Sequence, residues 1–220
     1  MVVNEEAYRQ ITGELGNKVT LVAVSKTKPI EDILELYNFG HRDFGENYVQ
    51  ELVDKAGQLP KDIRWHFIGH LQSNKVKLIA SFVHLIHGVD SFKLLKEINK
   101  QGEKQDRLID CLLQVHIAKE ETKFGFDEQE LMNTNLDESN DLKNVRVVGL
   151  MGMASFIDDM NKVRVEFKNL KAIFDKLKTK NAELKTLSMG MSSDYKVAIE
   201  EGSNMVRIGS LIFGERNYQK

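Results

Sequence analysis

Residues 21–30, LVAVSKTKPI, place an apolar run directly before a short charged segment. The run belongs to residues 18–25, which are β-branched and apolar on both faces of an extended chain and therefore predict a buried strand. Residues 30–40 follow with apolar side chains at helical spacing and end at Gly40, which predicts a helix. A strand followed closely by a helix is the repeating unit of a parallel sheet, because parallel strands need a long crossover connection.

The same alternation continues to the end of the chain. Further strands are predicted at residues 41–45, 63–69, 83–89, 107–117, 145–153, 184–192 and 204–214. Further helices are predicted at residues 4–16, 47–59, 73–82, 91–101, 126–136, 162–180 and 194–202, with Ser73 and Ser91 as caps. Eight strand–helix units in 220 residues fit a (β/α)8 TIM barrel with an extra N-terminal helix. A doubly wound open sheet is the main alternative, since the pattern alone does not decide closure.

Composition predicts a single globular domain over residues 1–220, with 41% hydrophobic and 29% charged residues. The formal net charge of −2 offers no basic field, so neither nucleic acid nor a membrane surface is expected as a partner. The single cysteine, Cys111, lies in an apolar run and is interpreted as a core residue. No segment resembles a signal peptide or a bilayer span, so a cytoplasmic location is expected.

Lys26 is the most informative residue of the opening stretch. In a (β/α)8 barrel, functional groups gather at the carboxyl ends of the strands. Lys26 follows the first strand without a turn residue, so its side chain should point into the barrel mouth. Partial burial lowers the pKa of a lysine, and a neutral amine can attack a carbonyl. Lys26 is therefore a candidate Schiff-base lysine, whereas Lys28 is interpreted as a solvated loop lysine.

A second signal lies at the ends of the last two strands. After Gly190, Ser192 and the two residues that follow it open a helix, and Gly209 and Ser210 follow the next strand. Plain N-capping would explain the first group alone, but loops after strands seven and eight often bind phosphate in barrels. Arg207 would lie between them, pointing toward a ring. A lysine together with a phosphate pocket describes pyridoxal 5′-phosphate (PLP), a cofactor with an aldehyde and a phosphate.

The histidines and methionines point less clearly to a site. The histidines show no metal-ligand spacing, so we predict no metal, and His84 and His87 are interpreted as core or surface residues. Four methionines lie at the exits of two strands, where they could fill gaps or contact a flat ligand. These are Met151, Met153, Met189 and Met191.

Six segments in order resemble one known family. They are LVAVSKTKP, FGENYVQE, WHFIGHLQSNK, GLMGMAS, LSMGMSSDYKVAI and VRIGSLIFGER. The chain is similar to the PLP homeostasis proteins, also called proline synthase co-transcribed homologues, whose barrel resembles the N-terminal domain of alanine racemase, of fold type III. The resemblance implies that Lys26 forms an internal aldimine with PLP. It implies further binding residues: Ser192, Gly209 and Ser210 at the phosphate and ring, Arg207 near the pyridine nitrogen, and Asn47 and Met153 lining the pocket. It assigns no role to His66 and His70.

The function implied by this resemblance is to carry or buffer PLP for vitamin B6 homeostasis with little or no catalysis. PLP-dependent apoenzymes are the implied acceptors. Racemases of this fold add a carboxyl-terminal β-domain that supplies a tyrosine as a second base, and the sequence ends at Lys220, so no such domain is expected. One alternative is a minimal PLP-dependent amino-acid racemase or lyase. A third hypothesis is a cofactor-free Schiff-base aldolase, which a phosphate pocket would also suit.

Overall fold

Eight parallel strands close into a barrel in the computed structural model, which describes residues 3–118, 125–133 and 142–215. The strands lie side by side in chain order, and β1 pairs with both β2 and β8. They are β1 (Thr20–Val24), β2 (Asp43–Glu46), β3 (Arg64–Phe67), β4 (Leu85–Val89), β5 (Ile109–Val115), β6 (Val145–Gly152), β7 (Thr186–Ser188) and β8 (Met205–Ile208). Closure confirms the predicted barrel and contradicts the open-sheet alternative.

Helices follow the strands around the outside of the barrel, and an additional helix precedes β1, as predicted. They are α1 (Glu5–Leu15), α2 (Ile30–Asn38), α3 (Val49–Gln58), α4 (Val76–Ile79), α5 (Phe92–Lys104), α6 (Glu128–Asn133), α7 (Met160–Lys178), α8 (Tyr195–Glu200) and α9 (Ser210–Phe213). Residues 134–136 of the predicted sixth helix lie outside the described residues. No helix within the described ranges is long and apolar enough to cross a membrane.

Two local predictions are wrong. Residues 204–214 do not form one strand, because β8 ends at Ile208 and α9 begins at Ser210. The apolar residues of this segment suit a strand, but Ile212 and Phe213 are buried in the layer between barrel and helices, and the Ile212 carbonyl accepts a hydrogen bond from the Asn4 N–H at 2.8 Å. Ser73 is not a cap, since a 3₁₀ turn begins at that residue and no side chain caps it. Ser91 does cap α5, accepting from the Leu94 N–H.

Apolar side chains form two separate clusters, because successive residues of a strand face opposite sides of the sheet. The large cluster lies between the strands and the helices and includes Ile33, Phe44 and Phe67. The small cluster fills part of the barrel interior and contains Val22, Leu85, Leu112, Met151 and Met205. The rest of the interior therefore has room for the polar residues of the strands.

The pairing of β1 with β8 brings together two segments that are far apart in the sequence. The register runs from Thr20 beside Met205 to Ala23 beside Ile208. Because parallel strands end at the same rim, residues that follow β1 lie next to residues that follow β8. This closure places Lys26 beside the segment that begins at Gly209.

Candidate functional site

A cavity of ≈ 400 Å³ opens at the rim formed by the carboxyl ends of the strands. This volume lies within the range of small-molecule sites. The residues that line it are Val24, Lys26, Lys28, Asn47, Ile68, Met153, Phe156, Met191, Ser192, Ser193, Arg207, Gly209, Ser210 and Gly214. All the residues predicted to bind a cofactor are among them: Lys26, Asn47, Met153, Ser192, Arg207, Gly209 and Ser210. The fold thus brings the predicted set together, and its role in binding stays a prediction.

Lys26 reaches the cavity because of the alternation along β1. The preceding residue, Ser25, faces the outer layer, where its hydroxyl donates to Glu46 Oε1 at 2.6 Å. The next side chain therefore turns inward, and Lys26 is half-buried at the mouth. Thr27 then adopts a φ of 62°, which is unusual for a β-branched residue and indicates a turn held by its surroundings.

Lys55, on α3, holds this turn from the outer layer. Its Nζ donates to the Ser25 carbonyl at 2.8 Å, to Glu46 Oε1 at 2.8 Å and to Glu51 Oε1 at 2.7 Å. The same Glu51 oxygen accepts from the Thr27 N–H at 2.6 Å. Lys55 thereby joins three carbonyl and carboxylate groups around the segment that carries Lys26. Sequence analysis missed this residue, because nothing in the helical pattern of α3 shows that one of its lysines is buried.

Glu46 is the fully buried carboxylate of this group. Burial raises the pKa of its carboxyl, although Lys55 opposes the shift. One carboxylate oxygen is shared by Ser25 and Lys55, whereas Oε2 has no hydrogen-bond partner among the residues that the structure describes. The Glu46 charge therefore depends on Lys55 for its compensation.

Lys28 also differs from its predicted role as a solvated loop lysine. It is half-buried, and its Nζ donates to the carbonyls of Phe213, Gly214 and Glu215 at 2.6, 3.2 and 3.2 Å. An ammonium group has three protons, so these three bonds occupy all of them. Lys28 therefore ties the loop after β1 to the end of α9 and keeps no lone pair for attack on a carbonyl.

Ser192 and Ser210 approach the cavity from the loops after β7 and β8. Gly190 has a φ of 98°, and a Cβ there would lie 2.6 Å from the Ala198 Cβ, so only glycine fits this turn. The two loops contact each other, since the Gly209 N–H donates to Ser192 Oγ at 3.3 Å. Asp194 is the N-cap residue of α8, but its side chain makes no capping bond and accepts instead from the Met191 N–H at 2.5 Å. Side-chain capping of α8 therefore does not account for Ser192, which lines the cavity.

Arg207 points from β8 into the barrel and is only 4% exposed. Its Nη1 donates to the carbonyl and to the hydroxyl of Ser188 at 3.0 and 2.6 Å, and its Nη2 donates to the Gly152 carbonyl at 3.1 Å. Burial lowers the pKa of the guanidinium to about 10, and the Asp194 carboxylate opposes the shift. Arg207 consequently remains charged at neutral pH.

The cavity lining suits a flat anion such as PLP. Lys26, Lys28 and Arg207 contribute positive charge, and none of the lining residues within the described chain is acidic. Apolar walls are supplied by Ile68, Met153, Phe156 and Met191. Asn47 Oδ1 is buried without a hydrogen-bond partner among the described residues, as expected of a group awaiting a ligand. Of the methionines at the strand exits, Met153 and Met191 line the cavity, whereas Met151 and Met189 are buried in the two clusters.

His84 is exposed and His87 is fully buried, so both follow their predicted placement as surface or core residues. The contact between His87 and His66 inside the barrel, with 3.0 Å between ring nitrogens, was not predicted from the sequence. Ligand atoms of Asp43, His66 and His84 lie within 4.8 Å of one another, yet both Asp43 oxygens already bind the Arg64 guanidinium. His70 lies near the rim and pairs with Asp90 at 3.0 Å.

Known proteins are similar to this chain in sequence and in fold. Residues 5–217 match the family model described as alanine racemase, N-terminal domain. A curated protein of Aquifex aeolicus named pyridoxal phosphate homeostasis protein is 44% identical over 208 residues, covering 94% of this chain and 91% of the relative. The structure of PipY from Synechococcus elongatus without PLP has a TM-score of 0.90 and 33% identity, covering 95% of this chain and 99% of PipY. PipY with PLP bound has a TM-score of 0.87, 34% identity and the same coverage.

Proposed function

The chain belongs to the alanine racemase N-terminal domain family, among the pyridoxal phosphate homeostasis proteins, and from this membership we propose that it binds PLP and carries or buffers it for vitamin B6 homeostasis, with little or no catalysis. The observation that supports this proposal is the single cavity in which Lys26, Arg207 and the Ser192–Ser210 pair meet. These groups come from three different strands, and each matches one functional group of the cofactor.

Six of the lining residues have a definite task in this proposal. When bound, PLP supplies an aldehyde that condenses with a primary amine and releases water. Lys26 would provide the amine, and the hydroxyls of Ser192 and Ser210 would donate hydrogen bonds to the phosphate. Arg207 would donate to the pyridine nitrogen, and Asn47 and Met153 would contact the ring. The cation-lined cavity favours the doubly charged phosphate over a neutral ligand.

The phosphate contacts give the first prediction. Replacing Ser192 or Ser210 with alanine should weaken PLP binding by about tenfold or more, since a hydrogen bond to a charged partner contributes about 1.5–3 kcal/mol. Titration of PLP followed by absorbance measures the dissociation constant of each variant. Pyridoxal, which lacks the phosphate, is the control ligand and should bind each variant nearly as it binds the unaltered protein. Equal losses for PLP and pyridoxal would show a packing defect and contradict the assignment.

Two features of the cavity favour a carrier over an enzyme. A guanidinium at the pyridine nitrogen donates a hydrogen bond and disfavours a proton on that nitrogen, which weakens the ring as an electron sink. Racemisation also needs acid–base groups on both faces of the substrate carbon. Lys26 could serve one face, but the lining residues in the described ranges include no histidine, tyrosine, cysteine or carboxylate for the other. Lys28 is occupied by three carbonyls.

We therefore expect slow exchange of the Cα proton of amino acids on the PLP-loaded protein. With the PLP-loaded protein in deuterium oxide, amino acids should exchange their Cα proton at a rate near that of free PLP, measured by proton NMR across a panel of L- and D-amino acids. Exchange of ligands on PLP, seen as a spectral change on adding an amino acid, should still occur. Rapid and stereospecific deuterium uptake would overturn the carrier proposal and favour a racemase or lyase.

PLP-dependent apoenzymes are the acceptors that this proposal implies. An acceptor must reach the cofactor from outside, and the side chain of Phe156 at the cavity mouth is 84% exposed. An apolar group in that position offers a contact surface for a protein that approaches the mouth. The open rim thus suits a protein that releases its ligand.

A further inference from the structure

Five polar side chains form one hydrogen-bonded chain through the barrel interior, from the amino-terminal end of the strands to the cavity. His66 Nε2 lies 3.0 Å from Asp43 Oδ1, and His66 Nδ1 lies 3.0 Å from His87 Nε2. His87 Nδ1 lies 3.2 Å from Ser188 Oγ, which accepts from Arg207 Nη1 at 2.6 Å. The chain therefore links a carboxylate at the far end of the barrel to the guanidinium at the cavity.

The middle of this chain is sealed from water. His87 and Ser188 are fully buried, and His66 is 1% exposed. Burial lowers the pKa of His87 well below the ordinary value, and the nearby Arg207 charge acts in the same direction, so the His87 ring is neutral at neutral pH. In such surroundings each unpaired polar group carries a desolvation penalty, so the proton positions must satisfy every partner at once.

When the His66 and His87 rings are both neutral, the donors and acceptors allow only one direction for the hydrogen bonds. The Asp43 carboxylate only accepts, so His66 carries its proton on Nε2 and accepts at Nδ1. His87 must then donate from Nε2 and accept at Nδ1. Ser188 supplies the proton to His87 Nδ1, which leaves a lone pair on Oγ for the Arg207 guanidinium. Every donor points from the cavity toward Asp43.

The direction of this hydrogen-bond chain determines which Arg207 protons Ser188 can accept. Ser188 accepts both Nη1 protons, through its carbonyl and its Oγ, and the Gly152 carbonyl accepts one Nη2 proton. A guanidinium has five N–H groups, so the Nε proton and the second Nη2 proton are not used by these three bonds. If the hydrogen bonds ran the other way, Ser188 Oγ would accept from both His87 Nδ1 and Arg207 Nη1, and the hydroxyl proton would have to find a different acceptor.

We propose that Asp43, His66, His87 and Ser188 are positioning residues, which fix the orientation of Arg207 through one directional hydrogen-bond chain. None of the four lines the cavity, so each would act on the ligand through another residue. The part of this proposal that concerns PLP rests on the proposed function, because Arg207 is the residue assigned to the pyridine nitrogen. Outer partners of this kind typically change affinity or activity by about 10- to 100-fold at metal sites when they are removed.

The direction of the chain can be tested without PLP. Long-range ¹H–¹⁵N spectra of the full-length protein without added cofactor report which nitrogen of each histidine carries the proton. His66 and His87 should both be protonated on Nε2 and unprotonated on Nδ1. A proton on Nδ1 of either ring at neutral pH would overturn the directional chain.

The positioning role is tested with Ser188→Ala, which removes the hydroxyl between His87 and Arg207. The Nε–H signal of Arg207, measured by ¹⁵N relaxation without PLP, should change from rigid to mobile, and PLP should bind about tenfold more weakly. Ser203→Ala is the matched control, since Ser203 is also buried but its hydroxyl lies within hydrogen-bond distance only of backbone carbonyls, those of Leu187, Met189 and Met205. A rigid Arg207 with unchanged PLP affinity in Ser188→Ala would overturn the proposal.

A variant at the far end of the chain separates positioning from simple packing. The double variant Asp43→Asn with Arg64→Gln removes the guanidinium that donates to both Asp43 oxygens, so the amide at position 43 can donate to His66 Nε2 and reverse the hydrogen-bond chain, whereas Arg64→Gln alone leaves the Asp43–His66 bond in place. The double variant should therefore move the His87 proton to Nδ1 and weaken PLP binding, and Arg64→Gln alone should do neither. Identical behaviour of the two variants would contradict the chain. If the unaltered protein fails to bind PLP, the proposed function fails, while the proton positions and the Arg207 mobility still decide this inference.

Discussion

Lys26→Ala should abolish the absorbance band of lysine-bound PLP. Borohydride reduction, which fixes PLP on the lysine that holds it, should then label no residue. Lys26 is the amine placed at the mouth by the alternation of β1, whereas the Lys28 amine donates all three protons to carbonyls. The fold should survive, because a half-buried lysine at the rim contributes little packing. Absorbance after addition of PLP, together with peptide mapping after borohydride reduction, measures both effects.

Lys28→Ala is the matched control for this experiment. It removes a neighbouring lysine of the same cavity and should keep the label on Lys26. Its expected effect is a modest loss of stability, since α9 loses the tie to the loop after β1. Labelling of Lys28 in the unaltered protein, or a persistent band in Lys26→Ala, would refute the assignment.

Lys55→Met should lower the free energy of unfolding by about 3–5 kcal/mol, the usual effect of breaking a buried ion pair from one side. The ammonium of Lys55 bonds to both Glu46 and Glu51, and its loss leaves the buried Glu46 charge uncompensated. Chemical denaturation measures the change. Lys176→Met removes a lysine from an exposed pair with Glu128 and should change the free energy by less than about 1 kcal/mol.

The pH dependence of Lys55→Met gives a second check on the cause. Without Lys55, burial should hold the folded-state pKa of Glu46 above its unfolded value, so a proton on Glu46 stabilises the fold at low pH and this contribution is lost as the pH rises. The variant should therefore be less destabilised at about pH 5 than at about pH 8. A loss that is the same at both pH values would show that Lys55 acts through packing and not through the Glu46 charge.

The parts of the fold that sequence analysis predicted depend on local signals. The apolar residues before Lys26 repeat a pattern that recurs at each strand, and the alternation of strands and helices leaves few topologies open. Lys26 itself was identified because it follows a strand without a turn residue. The same reasoning placed Ser192 and Ser210 after the last two strands, and the structure brings both to the cavity that Lys26 lines.

The features that escaped prediction depend on contacts between distant segments. Lys55 is buried only because Glu46 and the Ser25 carbonyl lie beside it, and helical spacing alone does not report this. His66 and His87 show no metal spacing, and their link to Ser188 requires the closed barrel. Residues 210–213 have the composition of a strand but form a helix, in which Ile212 and Phe213 are buried in the outer apolar cluster.

The closure of β1 against β8 means that the two halves of the cavity are far apart in the order of synthesis. Lys26 leaves the ribosome long before its cavity partners Arg207, Gly209 and Ser210. A nascent chain therefore cannot assemble the site until β8 and the residues that follow it have been made. Because ligand bound to the closed barrel stabilises it by mass action, vitamin supply would raise the fraction of newly made chains that stay folded. Pulse proteolysis of the refolding protein, with and without PLP, would reveal this coupling.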